Sequence, residues 1–420
     1  MQDPPRTEFT RAAIGVVGLC FVLNTLARGN GETFAVFYGP LLESFGWGRA
    51  ATSSLYSAFM IALGFSGPVI GAVFDRFGGR VVYVGGLLAY GAGFHVAAAM
   101  TELWHGWLGL GLLVGIGAAA TGMTPATGLI SRWFDRNMTF AISFAYSGFA
   151  VGALLLAPLS GLMIEAGGWR WTYAMLGWGL LALAVVTAVL PWGRIEQGTR
   201  PKGPPRSLIP DARVFRQVPF WGLFAVFFLT SLCTYTVQVP AVVYLEDAGY
   251  DRLAATFAFG LTAFMSMVGI VGSGWLADRI GQRWVATLGY SLTITGVGAL
   301  AALAITGPNL LILSIFLVCF GGAMGSRGPV VSSLTARLFE GQVGAVFGLI
   351  MVGLGLGGAV GAWASGWLFD VTGGYEAGLA LAASSSLLGI VVFWAIPELE
   401  RGQVPDAAAS RRAWRSRQAR

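Results

Sequence analysis

Charge is what this sequence has least of. Only 11% of its 420 residues are Asp, Glu, Lys or Arg, against about 25% in an ordinary soluble domain. Hydrophobic residues make up 55%, and the mean hydropathy is +0.70, which excludes a soluble globular fold. Cysteine is scarce too. Cys20, Cys233 and Cys319 are odd in number, lie in apolar runs and show no metal-ligand spacing, so neither a disulfide framework nor a metal site is indicated, and no cofactor is expected. His95 and His105 sit at the edge of an apolar run or in a loop and are not read as a proton relay. No nucleophile triad, P-loop or carboxylate dyad falls in the apolar segments, so an enzyme is not expected. No added soluble domain is expected either, the linker and tail being short and of low complexity, which weighs against a non-transporting receptor.

What is present is a succession of apolar segments of about 20 residues, roughly twelve in all, the length needed to cross a bilayer core. The fold class expected is therefore an all-α membrane protein of twelve transmembrane helices in two six-helix bundles. The stretch 192–218 breaks the succession with Pro201, Pro204, Pro205 and Pro210 among its arginines and reads as a linker. This divides the chain into an N-terminal bundle at 1–191, the linker at 192–218, a C-terminal bundle at 219–397 and a basic tail at 398–420. All but five of the 26 Lys and Arg residues fall in segments that share one side of the membrane if the amino terminus is cytoplasmic; Arg49, Arg170 and Arg252 are in opposite loops, and Arg28 and Arg327 are inside spans. The bias predicts a multi-pass protein of the cell's inner (plasma) membrane with both termini cytoplasmic. It also accounts for the net charge of +6 without nucleic acid; the lipid bilayer is the macroscopic partner, and the protein is expected to be a monomer.

The second half repeats the first. Gly71-x-x-x-Asp75-Arg76-x-Gly78-x-Arg80 recurs 203 residues later as Gly274-x-x-x-Asp278-Arg279-x-Gly281-x-Arg283. Gly46-Trp47-Gly48-Arg49 meets Gly249-Tyr250-Asp251-Arg252 at the same offset, and Arg132-Trp133-Phe134 meets Arg337-Leu338-Phe339 at nearly the same one. Parallel repeats of this kind build transporters from two similar bundles. The six residues Asp75, Arg76, Arg80, Asp278, Arg279 and Arg283 are the candidate cytoplasmic gate, with the aspartates taking charge-assisted bonds from arginines or helix amino termini.

The doubled loop resembles the hallmark of the major facilitator superfamily, and the resemblance covers essentially the whole chain. Phe37-Tyr38-Gly39-Pro40-Leu41-Leu42-Glu43-Ser44-Phe45-Gly46-Trp47-Gly48-Arg49 is similar to the end of the first helix in the branch of monocarboxylate transporters and oxalate/formate antiporters. That branch moves small carboxylates, often with a proton, and the resemblance implies that helices one, four, seven and ten line a central cavity. The sequence departs from the branch in two places: Phe257 to Trp275 carries no charge, where relatives have an arginine, and Glu32 falls near a position where animal members have a basic residue.

Arg327 lies about midway through the apolar run Leu310–Phe339. A guanidinium there costs roughly 2.5 kcal/mol or more unless it meets water, a partner or a ligand. Arg28 and Glu32, four positions apart, are the other ionisable residues well inside spans. Two cations and one anion leave the interior positive, which suits a carboxylate substrate held by planar forks. The alternative is that Arg28 and Glu32 neutralise each other while Arg327 bonds to carbonyls freed by Pro329. Helical phase adds Asn24, Tyr235 and Gln238 as substrate-binding candidates, with Ser231 on the same face of helix seven, and Tyr56, Thr124 and Tyr146 on helices two, four and five. Glu32 is the candidate proton site. The function expected is secondary active transport of a small organic anion, a monocarboxylate, by proton symport with alternating access. Anion exchange and export of hydrophobic drugs are the alternatives, and two buried arginines suit cationic drugs poorly.

Overall fold

A computed structural model describes residues 11–134, 138–197, 211–339 and 343–401; the side chains of Arg28, Ser143, Asp278 and Pro329 lie outside the described set, as do the tail arginines. Among the described residues every regular element is helical. The helices are α1 at Ala12–Phe45, α2 at Arg49–Phe77, α3 at Gly79–Ala98 and α4 at Leu103–Ile130. Met138–Val189 is one continuous run whose helical geometry fails at Gly168, with φ 76°; α5 and α6 are its two sides, 138–167 and 169–189. The second half follows with α7 at 218–247, α8 at Arg252–Ile280, α9 at Gln282–Thr306, α10 at 310–338, α11 at Val343–Thr372 and α12 at Glu376–Ala395.

The helices α1, α4, α7 and α10 are each interrupted. In α1, Asn24–Arg28 widens to a π-helix and the ladder breaks at Thr33. In α4, a π-helix at Trp107–Leu113 precedes a break at Gly122, three residues before Pro125. In α7 the break comes at Val239-Pro240, and in α10 a π-helix at Leu317–Gly321 precedes a break at Gly325-Ser326. Gly122 and Gly325 are repeat mates. A proline removes a backbone donor and clashes with the preceding turn, so the breaks in α4, α7 and α10, beside Pro125, Pro240 and Pro329, have a local chemical cause. Because the π-turn changes the angle per residue, Asn24, Arg28 and Glu32 do not keep the regular α-helical phase of a four-residue spacing.

Gly353, Gly357 and Gly361 are packing glycines, as a small-residue run in a membrane helix usually is. A Cβ on Gly357 would collide with the Phe228 carbonyl oxygen, and Gly353 and Gly361 abut Phe224 and Leu232 one turn to either side. α11 thereby lies along α7. The two halves meet where α2 crosses α11, with Gly64 against Gly355 and Ser57 Oγ donating to the Ala359 carbonyl at 2.7 Å, and where α5 crosses α8 at Gly161 and Thr256.

The stretch expected to be linker from 192 begins with a helix, Trp192–Ile195. Trp192 is buried against Tyr83, with ring centroids 5.9 Å apart, so the first bundle keeps hold of the chain past residue 191. Residues 198–210 lie outside the described set.

Candidate transport site

Glu32 is only 4% exposed, at the end of the short helical stretch Gly29–Glu32 just before the break in α1. The Tyr56 hydroxyl on α2 donates to its Oε2 at 3.2 Å. The Tyr56 ring is wedged between Phe34 and Phe59, at 5.3 and 5.1 Å, and lies 5.3 Å from the ring of Tyr235 on α7. A carboxylate of the first half is thus one side chain removed from the second. The local cause is visible in the sequence: Glu32 and Tyr235 are repeat mates, so the duplication sets them on matching helices facing the seam.

On the helices that meet at this junction are buried polar atoms with no hydrogen-bond partner among the described residues. Ser231 Oγ, Gln238 Oε1 and Asn24 Oδ1 are buried without a hydrogen-bond partner, although Asn24 Nδ2 donates to the Cys20 carbonyl at 2.9 Å. Ser231 lies beside Met60 and Tyr235, where α2, α7 and α11 converge on Gly358. Buried polar atoms left open cost free energy, and at a helix seam they are places for water or a polar ligand. A cavity with room for one or two water molecules, about 20 Å³, lies on the other side of Tyr56, lined by Asn30, Thr33, Phe94 and Tyr173. Asn30 Oδ1 is likewise unpartnered.

Arg327 is placed differently. It is 2% exposed and opens the helical stretch after the break in α10. Its Nη1 donates to the Ala323 carbonyl at 3.2 Å, its Nη2 donates to the Gly289 carbonyl at 3.1 Å and to Thr293 Oγ1, and Nε has no partner. The guanidinium stacks over the Tyr290 ring at 4.2 Å. Tyr290 in turn bonds Thr230 Oγ1 at 2.8 Å and donates to the Val226 carbonyl at 3.3 Å on α7. The guanidinium read as a substrate-binding candidate is turned to α9 and joins α10 to α9 inside the second bundle, with α7 reached through Tyr290. The carbonyl it takes on its own helix is Ala323, on the near side of the break. The side chain of Arg28 is outside the described residues.

The remaining candidates scatter. Thr124 is exposed and lies 3.8 Å from the Cβ position of Gly71, and Tyr146 is half-buried with its ring 5.3 Å from Phe149. At the loop repeat, Asp75, Arg76 and Arg80 are exposed, Arg279 is exposed over the Trp275 ring, and Arg283 is half-buried over the Trp394 ring. Asp278 lies outside the described side chains. The latching in the first half is done by a residue the sequence reading missed. Glu196, just after Trp192–Ile195, accepts the Arg80 backbone N–H at 3.1 Å, its carbonyl accepts from Arg132 at 3.1 Å, and Trp133 donates to the Ile195 carbonyl at 2.9 Å.

Two bundles of six helices, with a repeated loop at matching ends and interrupted helices at matching positions, match a known family. The sequence profile described as Major Facilitator Superfamily fits residues 17–326 and 270–419. The chain belongs to this superfamily. It is 30% identical over 385 residues to monocarboxylate transporter 13 of Rattus norvegicus, a match that spans 91% of this chain and 88% of the relative. It is 32% identical over 400 residues to monocarboxylate transporter 11 of Homo sapiens, spanning 91% and 82%. Among solved structures, a bacterial homolog to the human lysosomal transporter Spinster superposes with a TM-score of 0.68 at 14% identity, covering 94% of this chain and 96% of that one. The nucleoside transporter NupG (D323A mutant) superposes with a TM-score of 0.72 at 15% identity, covering 92% and 99%. These likenesses show the fold.

As a facilitator-superfamily member the protein is a non-enzymatic, multi-pass membrane transporter homologous to monocarboxylate transporters. Within that fold the residues missed by sequence reasoning share a trait. Tyr290, Thr293, Asn30, Ser57 and Glu196 are uncharged or lie outside the spans, so the scarcity of charge inside spans, which exposed Arg327 and Glu32, gave no signal for them.

Proposed function

We propose that this transporter moves a small organic anion of the monocarboxylate class by alternating access, in symport with a proton carried on Glu32. The observation that carries the reading is the buried Glu32 carboxylate at the seam, hydrogen-bonded to Tyr56, whose ring touches Tyr235 of the other half. A carboxylate in that position changes charge when it takes a proton, and the free energy of that change is felt by both halves, which is the requirement for coupling. Arg28, four residues before it, supplies the guanidinium for the substrate carboxylate, with Asn24, Ser231 and Gln238 as polar partners and the Tyr56–Tyr235 pair as the apolar wall. Arg327 contributes a fixed positive charge from behind α7. The names of the mammalian relatives support the substrate class, and the arginine bias supports cytoplasmic termini in the plasma membrane and a cytoplasmic placement of the Asp75, Arg76, Arg80, Arg279, Arg283 and Asp278 loops.

The test is uptake of a labelled monocarboxylate panel into proteoliposomes with an imposed inward proton gradient. Accumulation driven by the gradient, lost in Glu32→Gln while counterflow persists, supports the reading. Equal accumulation by Glu32→Gln overturns the proton site, and counterflow in wild type with no response to the gradient makes the protein an exchanger.

A further inference from the structure

The face bearing Arg49 holds contacts that join the two halves. α2 begins at Arg49, and its N-cap position is Gly48, which has no side chain to offer the free backbone donors of a first helical turn. The repeat mate of Gly48 is Asp251, which caps α8 in the ordinary way by accepting the Leu253 N–H at 3.0 Å. In α2 the carboxylate comes from elsewhere. Asp370, at the end of α11 in the other half, accepts the Arg49 N–H on Oδ1 at 2.9 Å and the Ala50 N–H on Oδ2 at 2.8 Å. Its Oδ2 lies 3.0 Å from where a Cβ on Gly48 would be, so the space vacated by one repeat is filled by the opposite one.

The side chains beside this cap make a reciprocal pair. Arg49 and Arg252 are repeat mates, and each reaches an acid near the end of the opposite half's first helix. Arg49 bonds Asp247 at 3.3 Å, and Arg252 bonds Glu43 at 2.9 Å. Arg49 is also stacked on the Phe369 ring at 3.6 Å and donates to the Tyr375 hydroxyl, which donates to Asp247 at 2.6 Å. Burial, with Asp247 alongside, pushes the Tyr375 phenol well above its ordinary range, so it stays a neutral donor.

We propose that α2 is capped in trans, and that closure of the Arg49 face is stabilised because opening it strips Asp370 from the amino terminus of α2 while the Arg49 and Arg252 pairs part. One half thus keeps a self-capped helix and the other holds a cap only when the face is shut. The inference rests on the alternating-access reading but not on its substrate or its proton.

The test measures the distance between spin labels at Ala166 and Thr306, on opposite halves, in the full chain in lipid nanodiscs with Cys20, Cys233 and Cys319 replaced by serine. Asp370→Ala is expected to raise the open-to-closed ratio about fivefold, the ratio matching the ~1 kcal/mol of a lost N-cap. Gly48→Asp, which restores the repeat mate's own cap and repels Asp370, is expected to do the same. Gly48→Asp combined with Asp370→Ala is expected to recover the Tm lost by Asp370→Ala and still remain open. Distances unchanged in both single variants, or a double variant as closed as wild type, overturn the proposal. Glu32→Gln with uncoupled transport but normal distances, or the reverse, separates its fate from that of the proton site.

Discussion

Glu32 and Arg327 are both ions buried in apolar helices, 4% and 2% exposed, yet they are held in opposite ways. Glu32 lies at the seam, and its described partner, Tyr56, belongs to a neighbouring helix and touches the other half. Arg327 lies behind the seam, and its acceptors are the carbonyls of Ala323 and Gly289 and the hydroxyl of Thr293, all within its own bundle. An ion bonded inside one rigid bundle keeps its partners when the bundles move. Glu32 keeps its bond to Tyr56 inside the first bundle as well, but that tyrosine ring lies against Tyr235 of the other half, so the surroundings of the carboxylate change when the bundles move. Under the proposed function, coupling falls to Glu32 and architecture, with a fixed positive field, to Arg327.

The largest effect that would break this contrast is at Arg327. Arg327→Leu removes donors that satisfy two carbonyls and a hydroxyl, and hydrogen bonds to charged groups contribute about 1.5–3 kcal/mol each. Its expected outcome is a Tm in detergent lowered by several degrees together with loss of uptake; full stability with lost uptake would instead make Arg327 a direct ligand. Glu32→Gln sharpens the contrast from the other side. It is expected to leave Tm within about 2 °C, because one neutral amide can still accept from Tyr56, and to lower gradient-driven accumulation at least about tenfold. Tyr56→Phe should come next, reducing accumulation roughly fivefold to tenfold through loss of one charge-assisted hydrogen bond, with counterflow kinetics as the check that binding survives. Thr293→Val is the smallest: one of three guanidinium acceptors goes, costing about 1.5 kcal/mol of stability, read as a modest fall in Tm with uptake near wild type.

How much was legible beforehand follows from which residues carry the signal. The helical spans and the duplication could be read because bilayer thickness imposes segment length and because the loop pattern at Gly71–Arg80 recurs at Gly274–Arg283. Glu32 and Arg327 stood out because ions are rare in apolar runs. The face each ion turns to was not legible. The π-turn at Asn24–Arg28 and the break at Gly325-Ser326 shift the phase on which any face assignment depends, and such interruptions depend on neighbours as much as on the local prolines. Asp370 was invisible for a different reason: it completes a helix more than three hundred residues away along the chain, at a position marked only by a glycine with no side chain.

The sequence by itself determined the solvent, the number and length of the helices and the two-fold internal repetition, because each of these depends on composition and spacing. Which buried ion meets the other half, and which carboxylate caps which helix, was decided only when the bundles packed. Contacts across a seam depend on the relative rotation of helices, and that rotation is a property of the packed assembly that spacing along one strand of residues does not contain.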